Sequence, residues 1–459
     1  MRKIKYYSTT VFASFVGYML IGFSGVAAQE SVGQITKNLT LTGYGSYQSG
    51  QIVAGQWEGG DNMDHYWSHQ VYAGIGFNAK LSDHMDLIAG VEGKMWNAYP
   101  NGGLFRNWIE QQMSLWLTEA SGTYSFGDPE KPWLKFTGGY FPFKYNPEVR
   151  NLGEYMFRSY TYPGLLFNAF DFPAARLLGL KASFNFFEGI WKNDLMVLEQ
   201  AETWPFGDIS LAYIGSYNFA KIIDFSAGVD LANYISVNSN NTTPQVSANE
   251  VMMVDPTTNN KTPVVHTHQN ADGILDTMYD YYTFKAIKPM ARVTFDPKPF
   301  MGGFGELLGN EDLKLYGEIA VIGTQDYSYY YDNISKRMPI MLGFYFPTFK
   351  VFDMLNVEFE HYSCPFITSY YNQVTPVSTG SGSTVCLPIP TAMSSEDINA
   401  IAWKWSVYIK KTVTPGVAVT LQLARDHFRP NYDDGYPAYA EALVKLNQWQ
   451  WILKLSGNI

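Results

Sequence analysis

Charged side chains recur along an aromatic-rich segment, residues 144–172, and could act on a passing ion or polar solute through their electric field. They are Lys144, Glu148, Arg150, Glu154 and Arg158. Tyr145, Tyr155, Phe157, Tyr160 and Tyr162 are interleaved with them. Balanced charge, many rings and few Ser or Thr predict a packed, folded loop, whereas residues 238–270 are rich in Asn and Thr. Charges held on such a loop can select ions where water is scarce.

Motifs for catalysis or metal binding are weak. The chain has no Walker loop, no H-E-x-x-H and no G-x-S-x-G. His266 and His268 form an H-x-H without a third ligand nearby, so we predict no metal site and no cofactor. Asp426-His427 resembles the acid–histidine pairs of barrel proteases and phospholipases. Neighbouring strand residues point to opposite faces, however, and no nucleophile is identifiable, so an enzyme is an alternative without a complete site.

The chain contains two cysteines, Cys364 and Cys386. An exported chain meets an oxidising compartment, where two lone cysteines at one membrane face tend to pair. We therefore predict a disulfide that tethers the Ser-, Thr- and Gly-rich loop between them. Two free thiols are the alternative.

Alternating apolar and polar residues indicate the elements that position these groups. In the last such segment, Trp449, Trp451, Leu453 and Leu455 share one face, and Gln448, Gln450 and Lys454 share the other. A strand that has lipid on one side and water on the other needs apolar and polar side chains to alternate with a period of two residues. About 16 such segments follow one another, near residues 39–50, 66–81, 85–97, 107–120, 133–143, 175–187, 193–204, 207–218, 222–236, 283–296, 311–326, 336–347, 353–364, 400–412, 415–428 and 443–455. The pattern predicts an all-β fold, a transmembrane antiparallel up-and-down β-barrel of about 16 (14–18) strands.

Connection lengths support an outer-membrane barrel with both termini in the periplasm. Connections after predicted strands 2, 6, 8, 12 and 14 are short, and those after strands 1, 5, 9, 13 and 15 are long. Residues 121–132 and 297–310 are long for periplasmic turns, and residues 200–206 are short for an outer loop. We predict one barrel domain over residues 29–459.

The start of the chain predicts export. Arg2, Lys3 and Lys5 precede an uncharged apolar run, and Val26 and Ala28 suit a signal peptidase, so residues 1–28 are predicted to be a signal peptide. Aromatic residues make up 16% of the chain and charged residues only 16%, as expected for a membrane barrel with aromatic girdles. A net charge of −10 argues against a nucleic-acid partner.

Polar positions in the alternation predict the side chains that line the lumen. Arg or Lys facing lipid at mid-depth costs about 2–4 kcal/mol, so these charges are expected to face inward as a set. The lumen candidates are Glu92, Lys94, Lys135, Lys181, Arg292, Lys314, Glu318, Glu358, Glu360 and Lys404. About 16 strands enclose more space than the wall side chains fill, so we expect a water-filled lumen. A closed interior with charges paired across the wall is the alternative.

In this organisation the chain resembles the general porins of Gram-negative outer membranes, which share the signal peptide, about 16 strands and a long loop after the fifth strand that folds into the lumen. The resemblance covers the mature chain but rests on no diagnostic motif. It implies passive diffusion of small hydrophilic solutes, sugars among them, and a homotrimer. Outer-membrane lipid and the barrel-assembly machinery are the other expected partners. It also implies that Lys144, Arg150, Glu154 and Arg158 line a constriction.

One feature departs from the porin pattern. Those porins usually end in an aromatic residue, whereas this chain ends Ser456-Gly457-Asn458-Ile459. The loop after the fifth strand has an alternative placement as an outward lid. A barrel enzyme and a structural or adhesive surface barrel stay open as alternative functions.

Overall fold

The computed structural model describes most of the chain between residues 38 and 458. The described ranges are 38–56, 62–98, 113–159, 166–201, 206–235, 237, 252–254, 261–263, 265–269, 275–279, 285–325, 333–363, 375–378, 384–387, 402–429, 441–443 and 445–458. The predicted signal peptide and Cys364 lie outside these residues, and Cys386 is described by its backbone alone. No helix in the described ranges is long and apolar enough to cross a membrane.

Sixteen strands close into one barrel, with each strand antiparallel to its neighbours. They are β1 (Leu39–Ala54), β2 (Tyr66–Ser82), β3 (Met85–Ala98), β4 (Met113–Gly127), β5 (Pro132–Phe143), β6 (Ala175–Phe186), β7 (Trp191–Glu199), β8 (Ile209–Phe219), β9 (Ile223–Ile235), β10 (Ala286–Phe295), β11 (Leu315–Ala320), β12 (Ile340–Tyr345), β13 (Met354–His361), β14 (Trp403–Thr414), β15 (Val417–Arg425) and β16 (Trp449–Asn458). The barrel closes where β1 pairs with β16, with Tyr47 opposite Leu455. The predicted fold is confirmed.

Each predicted alternating segment overlaps one barrel strand, but several predicted boundaries are wrong. The fourth strand extends to Gly127 because Tyr124 and Phe126 continue the exposed apolar face. The connection that looked long for a turn, residues 121–132, is therefore reduced to residues 128–131. The last strand begins at Trp449, six residues later than predicted, and runs on to Asn458.

The two rims of the barrel differ, and we call them the turn rim and the loop rim. At the turn rim, short connections join β2 to β3, β4 to β5, β6 to β7, β8 to β9 and β14 to β15. Two longer connections share that rim: residues 296–314, with 3₁₀ helices at Lys298–Phe300 and Gly302–Leu307, and residues 346–353. At the loop rim, three two-stranded ribbons pair Met252–Val254 with Lys261–Pro263, Val265–Gln269 with Leu275–Tyr279, and Thr375–Ser378 with Thr384–Leu387.

The outer wall is apolar and exposed on every side. Alternate residues such as Leu115, Tyr213, Leu342 and Phe359 are 76%, 40%, 59% and 54% exposed. In a water-soluble protein such side chains would be covered, whereas a spanning barrel presents them to lipid.

The main hydrophobic core lies inside the barrel. It joins the segment after β5 to the inner face of β7–β12, where Met196, Ile214, Met290 and Met341 are buried. The segment contributes Val149, Leu152, Tyr155 and Met156, each at most 1% exposed. The inner wall is therefore apolar on one side, where a folded segment covers it.

Candidate functional site

The segment between β5 and β6 packs inside the barrel, and we call its described part, residues 144–159 and 166–174, the inner segment. A tight turn at Gly153 allows it to lie flat against the wall. Gly153 has φ +102°, and a Cβ there would lie 2.7 Å from Met341 Cε and 2.9 Å from Val149 Cγ2. Glycine is therefore required at this position by both conformation and space. The turn continues into a single helical turn closed by Arg158 N–H donating to the Glu154 carbonyl at 3.0 Å.

Glu318 of β11 anchors the two ends of this turn. The Tyr145 hydroxyl donates to its carboxylate at 2.6 Å, and the Asn146 side-chain amide at 2.8 Å. The backbone N–H groups of Glu154 and Tyr155 donate to it at 3.1 and 2.9 Å. Four donors thus converge on one carboxylate that is itself only 3% exposed, and they satisfy its hydrogen-bonding capacity away from water.

Glu358 of β13 anchors the middle of the turn. Three successive backbone N–H groups donate to it, from Arg150 at 2.7 Å, Asn151 at 2.8 Å and Leu152 at 2.7 Å. The Tyr316 hydroxyl adds a fourth bond at 2.6 Å. Successive N–H groups that point the same way form an anion-binding concavity, which Glu358 fills.

His427, directly after β15, lies between two carboxylates. Its Nε2 is 2.8 Å from Glu360 Oε1 and its Nδ1 is 2.6 Å from Glu441 Oε1. Lys404 Nζ donates to Glu441 at 2.6 Å, and the Tyr155 hydroxyl donates to Glu360 at 2.8 Å. Burial alone would lower the pKa of His427, but the two carboxylates together raise it above its ordinary value. This network joins the wall, the inner segment and the connection between β15 and β16.

Asp426 faces away from His427 and binds amides. Asn151 Nδ2 and Asn168 Nδ2 of the inner segment donate to it at 2.9 and 3.3 Å. Gln422 and Gln450 of the wall donate to it at 3.3 and 3.2 Å. Asp426 and His427 therefore do not form one acid–histidine pair. Within the described ranges no group of three His, Cys, Asp or Glu residues could hold a metal ion.

The four predicted constriction residues occupy different environments. Lys144 donates to the Val149 carbonyl at 2.8 Å, and burial lowers its pKa to about 8. Arg150 keeps 19% of its side chain exposed, 4.0 Å from Glu311. Glu154 and Arg158 are each 2% exposed and pair at 2.7 Å. Arg158 therefore does not present its charge to water, and its expected place at the narrowest point needs correction: the charge is neutralised within the segment.

Six of the predicted lumen residues are covered, and most of them hold the inner segment or its neighbours. Glu318, Glu358 and Glu360 bind the segment as described above, and Lys404 binds Glu441. Lys314 lies 3.3 Å from Glu148 and 2.8 Å from Glu311. Arg292 pairs with Asp224 of β9 at 2.8 Å. Folded protein rather than open water surrounds these six side chains.

The other four predicted lumen residues lie on β3, β5 and β6. The Tyr44 hydroxyl donates to Glu92. Lys94 and Lys454 lie 5.5 and 5.4 Å from the centre of the Tyr72 ring. On β5 and β6, Lys135 is exposed and Lys181 lies 5.3 and 5.1 Å from the ring centres of Phe141 and Phe143.

Phe170 and Asp171 of the inner segment lie near Lys94 and Lys454 of the wall. Lys454 Nζ is 5.9 Å from the centre of the Phe170 ring. The Asp171 carboxylate acts electrostatically on both Lys94 and Lys454. Sequence alone missed Asp171 because it lies near the end of the long loop, away from Arg150 and Arg158.

Solved porins are similar to this chain in barrel architecture. OprB of Pseudomonas putida is 10% identical, with 94% of this chain and 96% of that chain covered at a TM-score of 0.45. OmpF of Salmonella typhi is 10% identical over 92% and 97% of the chains, with a TM-score of 0.43. A Rhodopseudomonas blastica porin is 8% identical over 92% and 100%, with a TM-score of 0.39. No family model and no curated protein sequence matches the chain. The barrel itself is shown by its strand pairing.

Proposed function

We propose that this protein is an outer-membrane porin that lets small hydrophilic solutes diffuse through the side of the barrel formed by β16 and β1–β6. The observation that carries the proposal is a contrast between two inward-facing tyrosines. Tyr316 on β11 is 1% exposed beneath the inner segment, whereas Tyr44 on β1 is 36% exposed. Water therefore reaches the inner wall on one side, and the folded segment narrows the lumen from the other side.

The narrow point of this passage is formed by Lys94, Lys454 and Tyr72 on the wall and by Phe170 and Asp171 on the inner segment. Charges of both signs face each other there, and a low-dielectric surrounding strengthens their field on a solute. Glu92 acts electrostatically on the same two lysines as Asp171, so two lysines and two acids share this point, and removing the lysines should leave it favouring cations. Arg150, partly exposed, adds a positive charge elsewhere on the inner segment.

Sugars remain among the proposed solutes, but Tyr145 and Tyr155 of the inner segment do not offer their rings for stacking. Tyr145 and Tyr155 are 5% and 1% exposed, and both donate hydrogen bonds to wall carboxylates. Their rings belong to the core. Tyr160 and Tyr162 lie outside the described residues. Tyr72 and Phe170 are the rings that neighbour the proposed passage. The homotrimer, the assembly machinery and the cleaved signal peptide stay predictions.

Conductance in a planar bilayer tests the proposal and separates it from a barrel enzyme or an adhesive barrel. We expect discrete conducting steps, and we expect Lys94→Ala with Lys454→Ala to move the zero-current potential in a salt gradient toward cation preference. Lys80→Ala with Lys221→Ala is the matched control, because both lysines lie at the water-exposed turn rim, where salt screens charges over about 8–10 Å. A folded barrel that conducts no ions, and passes no sugar in liposome swelling, contradicts the proposal.

A further inference from the structure

An exposed apolar group stands at the turn rim, away from the passage. Phe300, Phe304 and Leu307 of the connection between β10 and β11 are 70%, 49% and 59% exposed. Phe349 and Val351 of the connection between β12 and β13 are 56% and 63% exposed. We call these five residues the apolar foot. At the same rim the β2–β3 and β4–β5 connections are short and polar, and the β6–β7 connection exposes Phe187 and Ile190 at 72% and 46%. The foot differs from these in being formed by two longer connections together.

The two connections are fixed to each other, so the foot is a built surface. Asp312, fully buried, accepts the backbone N–H of Gly309 at 2.8 Å and that of Thr348 at 3.0 Å. Lys350 Nζ donates to the Glu306 carbonyl at 2.7 Å. The bonds from Thr348 and from Lys350 cross from one connection to the other. The apolar side chains are therefore held outward by a polar framework beneath them.

The apolar outer wall continues into the foot. On β12 the outward residues Ile340 and Leu342 are 40% and 59% exposed, and Phe346 extends the same face past the strand end at 43%. The ladder continues there as well, because Phe346 N–H donates to the Leu355 carbonyl at 2.9 Å. On β10, Val293 and Phe295 carry the outer face to the start of the other connection.

Basic side chains border the foot. Lys350 is exposed beside Phe349, and Lys411 Nζ donates to the Lys350 carbonyl at 3.3 Å. Lys298 precedes Phe300 and binds the carbonyls of Asn310 and Asp312 at 2.9 and 2.8 Å. Aromatic side chains bordered by lysine suit the boundary between acyl chains and phosphate headgroups.

We propose that the apolar foot inserts into the headgroup boundary of the leaflet at the turn rim and anchors the β10–β13 side of the barrel there. Lipid is the occupant because the foot continues the lipid-facing wall and carries cations at its edge. This contact is independent of solute passage, so it can fail while the porin proposal holds.

Spin-label accessibility tests the insertion in vesicles of phosphatidylethanolamine and phosphatidylglycerol. In a Cys364→Ser, Cys386→Ser background, Phe304→Cys and Phe349→Cys would each carry a nitroxide. Leu342→Cys is the lipid-facing reference, and Asp83→Cys, with a side chain 82% exposed at the same rim, is the aqueous reference. We expect collisions with oxygen to exceed those with a water-soluble nickel complex at 304 and 349, as at 342.

Two outcomes overturn the proposal. Accessibilities at 304 and 349 that match Asp83→Cys would place the foot in water. Low accessibility to both oxygen and nickel would mean that protein covers it, from a second copy or a partner. If the cysteine-free background does not fold, a benzophenone amino acid at position 304 in the native-cysteine chain gives the same decision, since insertion predicts cross-links to lipid and not to protein.

Discussion

The Glu358 carboxylate accepts the backbone N–H of Leu152 at 2.7 Å, which joins β13 to a turn that lies 206 residues earlier in the chain. The neighbouring N–H groups of Arg150 and Asn151 bind the same carboxylate. This inward-facing acid thus holds the middle of the turn by its main chain, whatever side chains the turn carries there. The wall dictates where the inner segment lies, and thereby how much of the lumen is left.

Replacing Glu358 should release the middle of the inner segment. A hydrogen bond to a charged group contributes about 1.5–3 kcal/mol, so Glu358→Ala should loosen the turn strongly and Glu358→Gln partly. Hydrogen exchange of a peptide that covers residues 149–156 should accelerate, and single-channel conductance should rise. Asp194→Asn is the control, because Asp194 is an inward acid that binds Ser183 of the wall. Unchanged exchange in Glu358→Ala would contradict this role of the carboxylate.

Sequence predicted the strands and their inward faces because alternate residues along a strand lie on the same face of the barrel wall. It could not predict what covers that face. Met196 and Ile214 point inward although they are apolar, because the inner segment supplies a core for them. Glu358 was expected to line water, and instead it binds three backbone N–H groups that no side-chain pattern reports.

The partners of His427 were missed for a related reason. Its partners Glu360 and Glu441 lie 67 and 14 residues away in the chain. The sequence suggested Asp426 as the acid beside His427 because the two residues are adjacent, whereas the acids that contact the imidazole are Glu360 and Glu441. Contacts between a loop and a distant strand are set by the closure of the barrel, which local spacing does not encode.

The two arginines of the inner segment should respond differently to removal. Arg150→Ala should move the zero-current potential toward cations, because its side chain is partly exposed. Arg158→Ala should leave selectivity nearly unchanged and instead destabilise the segment, because it leaves Glu154 buried without its partner. Breaking a buried pair costs about 3–5 kcal/mol. Bilayer recordings and urea unfolding measure the two effects, and equal shifts of potential in both variants would refute the distinction.

Lys144 should make selectivity depend on pH. Burial lowers its pKa to about 8, so the charge is lost as pH rises through that value. The zero-current potential should shift toward cation preference between about pH 7 and pH 9 in the parent and stay constant in that window in Lys144→Met. Because the folded pKa lies below the unfolded value of about 10.4, stability should rise with pH between the two. Lys144→Arg is the control that keeps the charge throughout.

The disulfide between Cys364 and Cys386 stays a prediction. Thiol labelling of unfolded, unreduced protein should recover neither cysteine, and labelling after reduction should recover both. Closing a loop of this length in the unfolded chain stabilises by about 3 kcal/mol in the entropic model. Reduction should therefore lower stability, and it should leave conductance intact if the tethered loop lies outside the passage. Recovery of both thiols before reduction would refute the bond.

The pH dependence of stability should identify the contribution of His427. The carboxylates of Glu360 and Glu441 raise its pKa although burial opposes them, and Lys404 lowers it only in part. Arg429 pairs with Glu441 at 3.3 Å. A raised folded pKa means that the stabilisation is complete below the unfolded value of about 6.5 and is lost as pH rises through the folded value. The urea midpoint should therefore fall with rising pH in the parent more than in His427→Gln.

His361→Gln is the control, because His361 lies on the outer face against the Trp403 ring, at 4.6 Å between ring centres. Parallel curves for the parent and His427→Gln would show that the imidazole keeps one protonation state, and that the network holds the two loops by packing alone.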